Sequence, residues 1–145
     1  MFKHILVPVD GSTTSQLAVD KAIGLAKAFG SLVTTIFIID PYPFTGVGTD
    51  FSYGQAEYLS AATAEANAAI KTAKAQFEAE GVSVEASVVE AHAIWRGVVQ
   101  AAESVQADLI VMGSHGRSGL EKLVLGSVTQ AVLSHTHLPL LVVRD

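Results

Sequence analysis

Cysteine is absent from the 145 residues, which excludes disulfides, thiolate catalysis and cysteine-ligated zinc or iron–sulfur centres. Basic residues are scarce: nine Lys and Arg stand against fourteen Asp and Glu, a formal net charge of -5, and no window is densely basic. Binding to duplex nucleic acid draws on many phosphate contacts, so that role is disfavoured. A mononucleotide is another matter, because a few aligned N–H groups and a divalent cation hold it without a basic surface. Long hydrophobic runs are missing too. None reaches the roughly 18–20 residues of a membrane-spanning helix, and the opening MFKHILVPVDG passes into strand-like sequence and a turn, unlike a signal peptide. The expectation is a soluble, cytoplasmic protein of one compact domain over residues 1–145. Its composition, 50% hydrophobic, suffices for a core without crosslinks or metals.

What is present centres on Ala107 to Ser127, ADLIVMGSHGRSGLEKLVLGS. Leu109, Ile110, Val111 and Met112 have strand length and composition and run at once into Gly113, Gly116 and Gly119. Gly126-Ser127 follows, then VTQAVLSH, which reads as a helix with Ser127 as its N-cap. Glycines let a backbone approach a ligand with no Cβ in the way, and the first turn of a helix offers unpaired N–H groups and about half a positive charge. Phosphate suits such a cradle. Arg117 adds a forked cation for a terminal phosphate, and the Ser127 and Thr129 hydroxyls can bond phosphate or ribose. A plain turn between strand and helix would use the same glycines.

The rest of the chain alternates strands and helices. His4 to Val9 is a buried-strand candidate in which Pro8, lacking a ladder donor, marks the end before Asp10-Gly11. Thr13 followed by Gln16 resembles a capping box, and Ala18, Ala22, Leu25, Ala26 and Phe29 keep helical spacing until Gly30. Leu32 to Ile39 is apolar nearly throughout, as in a strand covered on both faces. Pro41 to Gln55 holds prolines, glycines and four aromatics and reads as a long loop, either a lid or packed over the domain. About Ala56 to Glu80 forms the longest helix, with its apolar stripe on Leu59, Ala62, Ala66, Ile70, Ala73 and Phe77. Val82, Val84, Ala86 and Val88 alternate with polar residues as in an edge strand with one wet face. Ile94, Val98, Ala101 and Val105 give another helical stripe, and Leu138 to Val143 a last apolar strand. Five strands alternating with four helices call for a mostly parallel sheet flanked on both faces. Ligands in such sheets bind beyond the carboxyl ends of the strands where strand order reverses. If the first and fourth strands are neighbours there, Asp10 and Gly113 line one crevice, with Asp10 toward ribose hydroxyls or a magnesium ion. An Asp that only forms the turn before Gly11 is the plainer alternative.

Over essentially its full length the sequence resembles the nucleotide-binding branch of the universal stress proteins. The resemblance rests on PVDGS (Pro8 to Ser12), IID (Ile38 to Asp40), ADLIVMGSHGRSG (Ala107 to Gly119), GSVTQAVL (Gly126 to Leu133) and PLLVV (Pro139 to Val143). The ATP signature of that family is a glycine, two residues, a glycine, nine residues, then glycine with serine or threonine. Gly113, Gly116 and Gly126-Ser127 meet it. The resemblance implies an open five-stranded sheet of order 3-2-1-4-5 and bound ATP with magnesium. It places Pro8 beside the pocket, Asp10 at ribose or the metal-bound phosphates and Ile38 at adenine through its backbone. Met112 and Gly113 would border base and ribose, Gly116 and Arg117 would meet phosphates, and Gly126, Ser127, Val128 and Thr129 would close around them. It also implies a homodimer through the final strand, a role in stress adaptation and, in some relatives, a transport system as regulatory partner. The connection Glu90 to Trp95 lacks the Gly-x-Pro-like start seen in many relatives. Trp95 reads as a core or interface anchor and His92 as a surface residue.

Equipment for catalysis is thin. The G-x-x-x-x-G-K-[S/T] loop is absent, and no second carboxylate lies beside the motif. His115, between the glycines, is accounted for by loop geometry or a backbone hydrogen bond, and His135 and His137 suit a helix C-terminus without a clear third metal ligand. The sequence therefore favours a nucleotide-binding regulator with at most slow hydrolysis. A weak ATPase or phosphotransferase and a nucleotide-free oligomeric interaction protein are the alternatives.

Overall fold

The computed structural model describes residues 1–41, 51–116 and 125–145. Its elements are β1 (His4–Pro8), α1 (Thr13–Phe29), β2 (Leu32–Ile39), α2 (Phe51–Ala79), β3 (Val84–Glu90), α3 (Ile94–Ser104), β4 (Leu109–Gly113), α4 (Ser127–His135) and β5 (Leu140–Val143). The strands form one sheet of order β3-β2-β1-β4-β5, parallel at every pairing. This is the order that the family resemblance implies, and the parallel sheet is the one that the alternation of strands and helices calls for. β1 and β4 pair as neighbours, Ile5 beside Leu109 and Leu6 beside Ile110, so the reversal of strand order falls between them.

Alternation along the strands divides the core. Ile5, Val7, Val33, Phe37, Leu109 and Val111 face α1 and α2, meeting Ala18, Ala22, Ala66 and Phe77. Leu6, Ile36, Ile38, Ile110 and Met112 face α3 and α4, meeting Val98, Ala102 and Val132. Each fully buried side chain of this kind contributes about 1.5–3 kcal/mol. The small residues of α1 and α2 let those helices lie close to the sheet. On the opposite face Gly97 does the same for α3, since a Cβ there would come within 2.9 Å of both Ile38 Cδ1 and Ala91 Cβ. That close approach, rather than propensity, explains a glycine inside a helix. β3 is an edge strand whose Glu85 and Ser87 are exposed, as its alternation predicts. Among the described residues no helix is long and apolar enough to cross a membrane.

Several local expectations are corrected. The N-cap of α1 is Ser12, whose Oγ accepts from the Ser15 N–H at 3.2 Å; Thr13 is the first helical residue and Gln16 reaches Asp20 at 3.4 Å instead of closing a capping box. The N-cap of α4 is Gly126, not Ser127. The long loop ends earlier than expected, because Phe51 to Gln55 already belong to α2; residues 42–50 lie outside the described residues. β5 starts at Leu140 and β3 at Val84. Val82 instead turns back onto the end of α2, its N–H donating to Phe77 O at 3.0 Å.

Two stability predictions arise here. Ala93, the N-cap of α3, has φ 84 and ψ 127 and no side-chain cap, a conformation costing a non-glycine residue about 1–3 kcal/mol. Ala93→Gly relieves that strain at the cost of greater unfolded-state freedom, so the expected net gain is about 1 kcal/mol, measured by urea denaturation. At the other end of the sheet the Asp108 carboxylate accepts from the Lys3 N–H at 2.9 Å and the His4 N–H at 3.0 Å. Burial alone would raise the Asp108 pKa, but these N–H groups, its own N–H and the nearby His4 outweigh it and hold the carboxyl below its ordinary value. A lowered folded-state pKa contributes stability above the unfolded value, lost as pH falls through the folded one. Asp108→Asn should therefore flatten the acid limb of the stability profile, read as melting temperature below about pH 4.

Candidate functional site

Beyond the carboxyl ends of β1, β2 and β4 lies a cavity of about 400 Å³. Pro8 to Asp10 form its floor on one side of the reversal, Met112 and Gly113 on the other, and Phe37 to Asp40 extend it along β2. Its walls come from α2 (Tyr58, Ala62, Glu65), from α3 (Ile94, Val98) and from the first turn of α4. Ten of the sequence-derived site residues line it together: Pro8, Asp10, Ile38, Met112, Gly113, Gly116, Gly126, Ser127, Val128 and Thr129. Arg117 lies outside the described residues. The Gly113–Gly116 turn and the Gly126-Ser127 corner thus face one space.

Pro8 ends β1 in register with Ile36, and the ladder resumes one residue later, Val9 N–H donating to Ile36 O at 2.8 Å. The missing donor of proline falls where the strand opens into the site. Asp10 then forms a turn, its Oδ1 accepting from the Ser12 N–H at 2.9 Å. Its other oxygen sits against Gly116, where a Cβ would come within 2.5 Å of Oδ2. Asp10 therefore serves the turn and also borders the cavity.

Of the helices that start at this end of the sheet, α1 and α4, which follow the neighbouring strands β1 and β4, differ in one respect. α1 is capped by Ser12, so part of its first turn is satisfied internally. α4 has a glycine at its N-cap and no side-chain cap. The Gly126 N–H donates to Ser114 O at 2.8 Å and the Gln130 N–H to Gly126 O at 3.0 Å. Between them stand the amides of Ser127, Val128 and Thr129 at the start of the helix, with the positive end of its dipole on the cavity wall. The turn is drawn in tightly: a Cβ on Gly126 would lie 3.1 Å from His115 Cα.

One expected role changes. The Thr129 hydroxyl is buried and donates to Gly113 O at 2.9 Å, so its hydrogen is spent tying α4 to β4 and is not free for a ligand. Thr14 performs the matching task from α1, its hydroxyl donating to the His115 carbonyl. That carbonyl, rather than the imidazole, carries the backbone hydrogen bond of His115.

Five polar wall residues are not among the site residues read from the sequence: Ser15, Asp40, Tyr58, Glu65 and His115. Asp40 follows β2 as Asp10 follows β1, a signal that was available. Its Oδ2 accepts from the Ala93 N–H at 3.3 Å and its Oδ1 lies 4.0 Å from His92 Nδ1. Tyr58 and Glu65 are seven residues apart, two turns along one face of α2, and nothing in their spacing pointed to a ligand. His115 lies on the wall beside the loop geometry that accounts for it in the sequence. Its side chain is 9% exposed, with Nε2 4.0 Å from Asp145 Oδ2. Elsewhere, Trp95 stacks on His135 with ring centroids 4.1 Å apart, and the Arg96 guanidinium lies 5.1 Å from the Trp95 ring centre. Trp95 thus fastens α3 to the end of α4 from the surface.

The sequence profile described as "Universal stress protein family" matches residues 1–144. The chain belongs to this family. Among curated relatives, universal stress protein MJ0531 of Methanocaldococcus jannaschii is 37% identical over 144 residues, covering 99% of this chain and 83% of that protein. Among solved structures, the universal stress protein UspA from Lactobacillus plantarum has a TM-score of 0.87 at 23% identity, covering 98% of this chain and 97% of that one. This likeness concerns the fold. A universal stress protein solved in complex with cAMP has a TM-score of 0.68 at 26% identity, covering 98% of this chain and 96% of its own.

Proposed function

We propose that this universal stress protein is an adenine-nucleotide-binding regulator. ATP lies in the cavity with its phosphates at the amides of Ser127 to Thr129 and its base toward Ile38 and Met112. Asp10 faces the ribose, and Gly113, Gly116 and Arg117 complete the phosphate side. The observation that carries the reading is the start of α4, without a side-chain cap, on the cavity wall opposite Asp10 and beside the Gly113–Gly116 turn. The relative solved with cAMP supports the ligand class.

Magnesium fits this arrangement only as a companion of the phosphates. Asp10 Oδ1 is engaged by the Ser12 N–H, and among the described residues no group of three His, Asp or Glu side chains is placed to hold a metal. Magnesium commonly retains waters and binds through one or two carboxylates plus substrate phosphates. Asp10 Oδ2 is the oxygen this chain would contribute, and the ion would supply charge neutralisation there.

Regulation is exerted as a homodimer joined through β5. That strand is the sheet edge beside β4, and Leu141 on it is 39% exposed, an apolar edge that pairing would cover. Calorimetric titration of ATP with magnesium tests the nucleotide reading, and absence of heat and of saturable binding defeats it. Sedimentation tests the dimer: Leu141→Arg is expected to shift the protein from dimer to monomer, and an unchanged dimer would place the interface elsewhere.

A further inference from the structure

We infer that Asp40 is a positioning residue for the base end of the cavity: by holding the Ala93 N–H it keeps the turn into α3 in a strained conformation that seats Ile94 beside the adenine. The inference rests on the nucleotide reading above and concerns how the pocket keeps its shape. Ile38 and Met112 form the floor of that end, and Ile94 and Val98, one turn apart on α3, form its wall. All four pack in the cluster on the α3 and α4 face of the sheet. Ile94 is the first residue of α3, so its place depends on the turn that precedes it.

That turn is held from β2. The strand pairing runs to Ile39 beside Glu90, and the Ala91 N–H donates to Ile39 O at 3.0 Å. Ala91 Cβ and Ile38 Cδ1 close on Gly97, each 2.9 Å from where a Cβ would stand, so α3 is packed down on β2 one turn after its start. Between these points Ala93 has φ 84 and ψ 127 and caps α3 with no side-chain hydrogen bond of its own. It is one of two non-glycine residues with positive φ among the described residues. An alanine persists in such a conformation only where its surroundings impose it, and residues of this kind gather at ligand clamps. Asp40 supplies the restraint: its Oδ2 accepts from the Ala93 N–H at 3.3 Å and its Oδ1 lies 4.0 Å from His92 Nδ1. Asp40 also borders the cavity, so restraint, strained turn and base wall are contiguous.

Without the carboxylate, Ala93 relaxes toward negative φ and the first turn of α3 moves with it. The binding-competent turn is then occupied about a tenth of the time, and apparent affinity falls by that fraction. Glycine takes positive and negative φ about equally, so an Ala93→Gly change recovers about half of the full population with no restraint. Direct electrostatics predict the reverse for Asp40→Ala, because removing a carboxylate from the wall favours an anionic ligand. The decisive comparison is therefore made between proteins of equal charge.

The test is calorimetric titration of ATP, with magnesium present, into the wild type, Ala93→Gly, Asp40→Ala and the double variant Asp40→Ala/Ala93→Gly. Ala93→Gly is expected to raise ATP affinity about fivefold where Asp40 has been removed, and less than about twofold where Asp40 already holds the turn. An equal effect of Ala93→Gly in the two backgrounds overturns the inference and leaves the nucleotide reading standing; it is the result for an Asp40 that touches the ligand directly or serves only the stability of the fold. No ATP binding by the wild type overturns the nucleotide reading itself, and the inference with it. Should Asp40→Ala not fold, amide hydrogen exchange in the wild type decides, because coupling between turn and ligand is reciprocal. Saturating ATP must slow exchange of the Ala93 N–H about tenfold more than that of the Ala107 N–H, which is bonded to Ala102 O at the other end of α3. Equal slowing at the two sites refutes the proposal.

Discussion

Replacing Ser127 with aspartate is expected to cost this protein its nucleotide and leave its fold intact. Ser127 is the first residue of α4, exposed at the cavity wall, so the new side chain meets no packing constraint. A carboxylate in the first turn of a helix is favourable by about 0.3–1 kcal/mol, which predicts an unchanged or slightly raised melting temperature. The same carboxylate occupies the space and the amides that a phosphate would use. Two like charges about 4 Å apart near a protein surface repel by roughly 4 kcal/mol before salt screening. With each tenfold in affinity equal to about 1.4 kcal/mol, screening still leaves a loss of about 100-fold in ATP binding. Ser127→Ala removes only a hydroxyl and should lose less than about tenfold. Calorimetric titration beside a thermal melt reads both quantities. Full ATP affinity in Ser127→Asp would mean that the start of α4 is not where phosphates sit.

The second large effect concerns stability. At Gly113, the last residue of β4, a Cβ would stand 2.6 Å from Thr14 Oγ1 and 2.9 Å from the Thr14 backbone carbon. The obstacle is the main chain at the start of α1 and cannot rotate away, so α1 or β4 must shift. Overpacking of this kind costs about 1–3 kcal/mol, occasionally more, and Gly113→Ala should fall in the upper part of that range. The shift would also disturb the Thr129 hydrogen bond to Gly113 O and so the start of α4. Gly24, inside α1 with nothing within 4 Å of an added Cβ, is the control. Gly24→Ala should stabilise by about 0.5–1 kcal/mol through helix propensity. Urea midpoints for the pair measure the contrast; equal midpoints would mean that β4 and α1 are not packed as described.

Elements were legible where one physical signal acted alone. Leu32 to Ile39 is apolar but for Thr34 and Thr35 and lies between Gly30 and Asp40-Pro41, and β2 has those limits with every residue after Leu32 buried, as suits a strand covered on both faces. Gly30 ends α1 in a left-handed conformation, φ 66, as its residue type foretold. Boundaries failed where several residues offered the same chemistry. Ser12, Thr13, Thr14 and Ser15 can all cap a helix, and the turn set by Asp10 and Gly11 selects Ser12. Phe51 to Gln55, with Gly54 among them, have the composition of a loop, yet they form the first turn and more of α2.

The site divides in a similar way. The glycine spacing after β4 and the Asp after β1 are read from the residues themselves, because backbone freedom and helix ends are local properties, whereas the strand order that makes them neighbours came from the family resemblance. The partners of buried polar atoms are not of that kind. Tertiary packing decided that the Thr129 hydroxyl is spent on Gly113 and that His115 lies between the start of α4 and the Asp145 carboxylate. It also turned one face of α2 toward the same cavity. A hydrogen bond or a charge pair depends on distances across elements remote in the chain, and no periodicity within a single element encodes them.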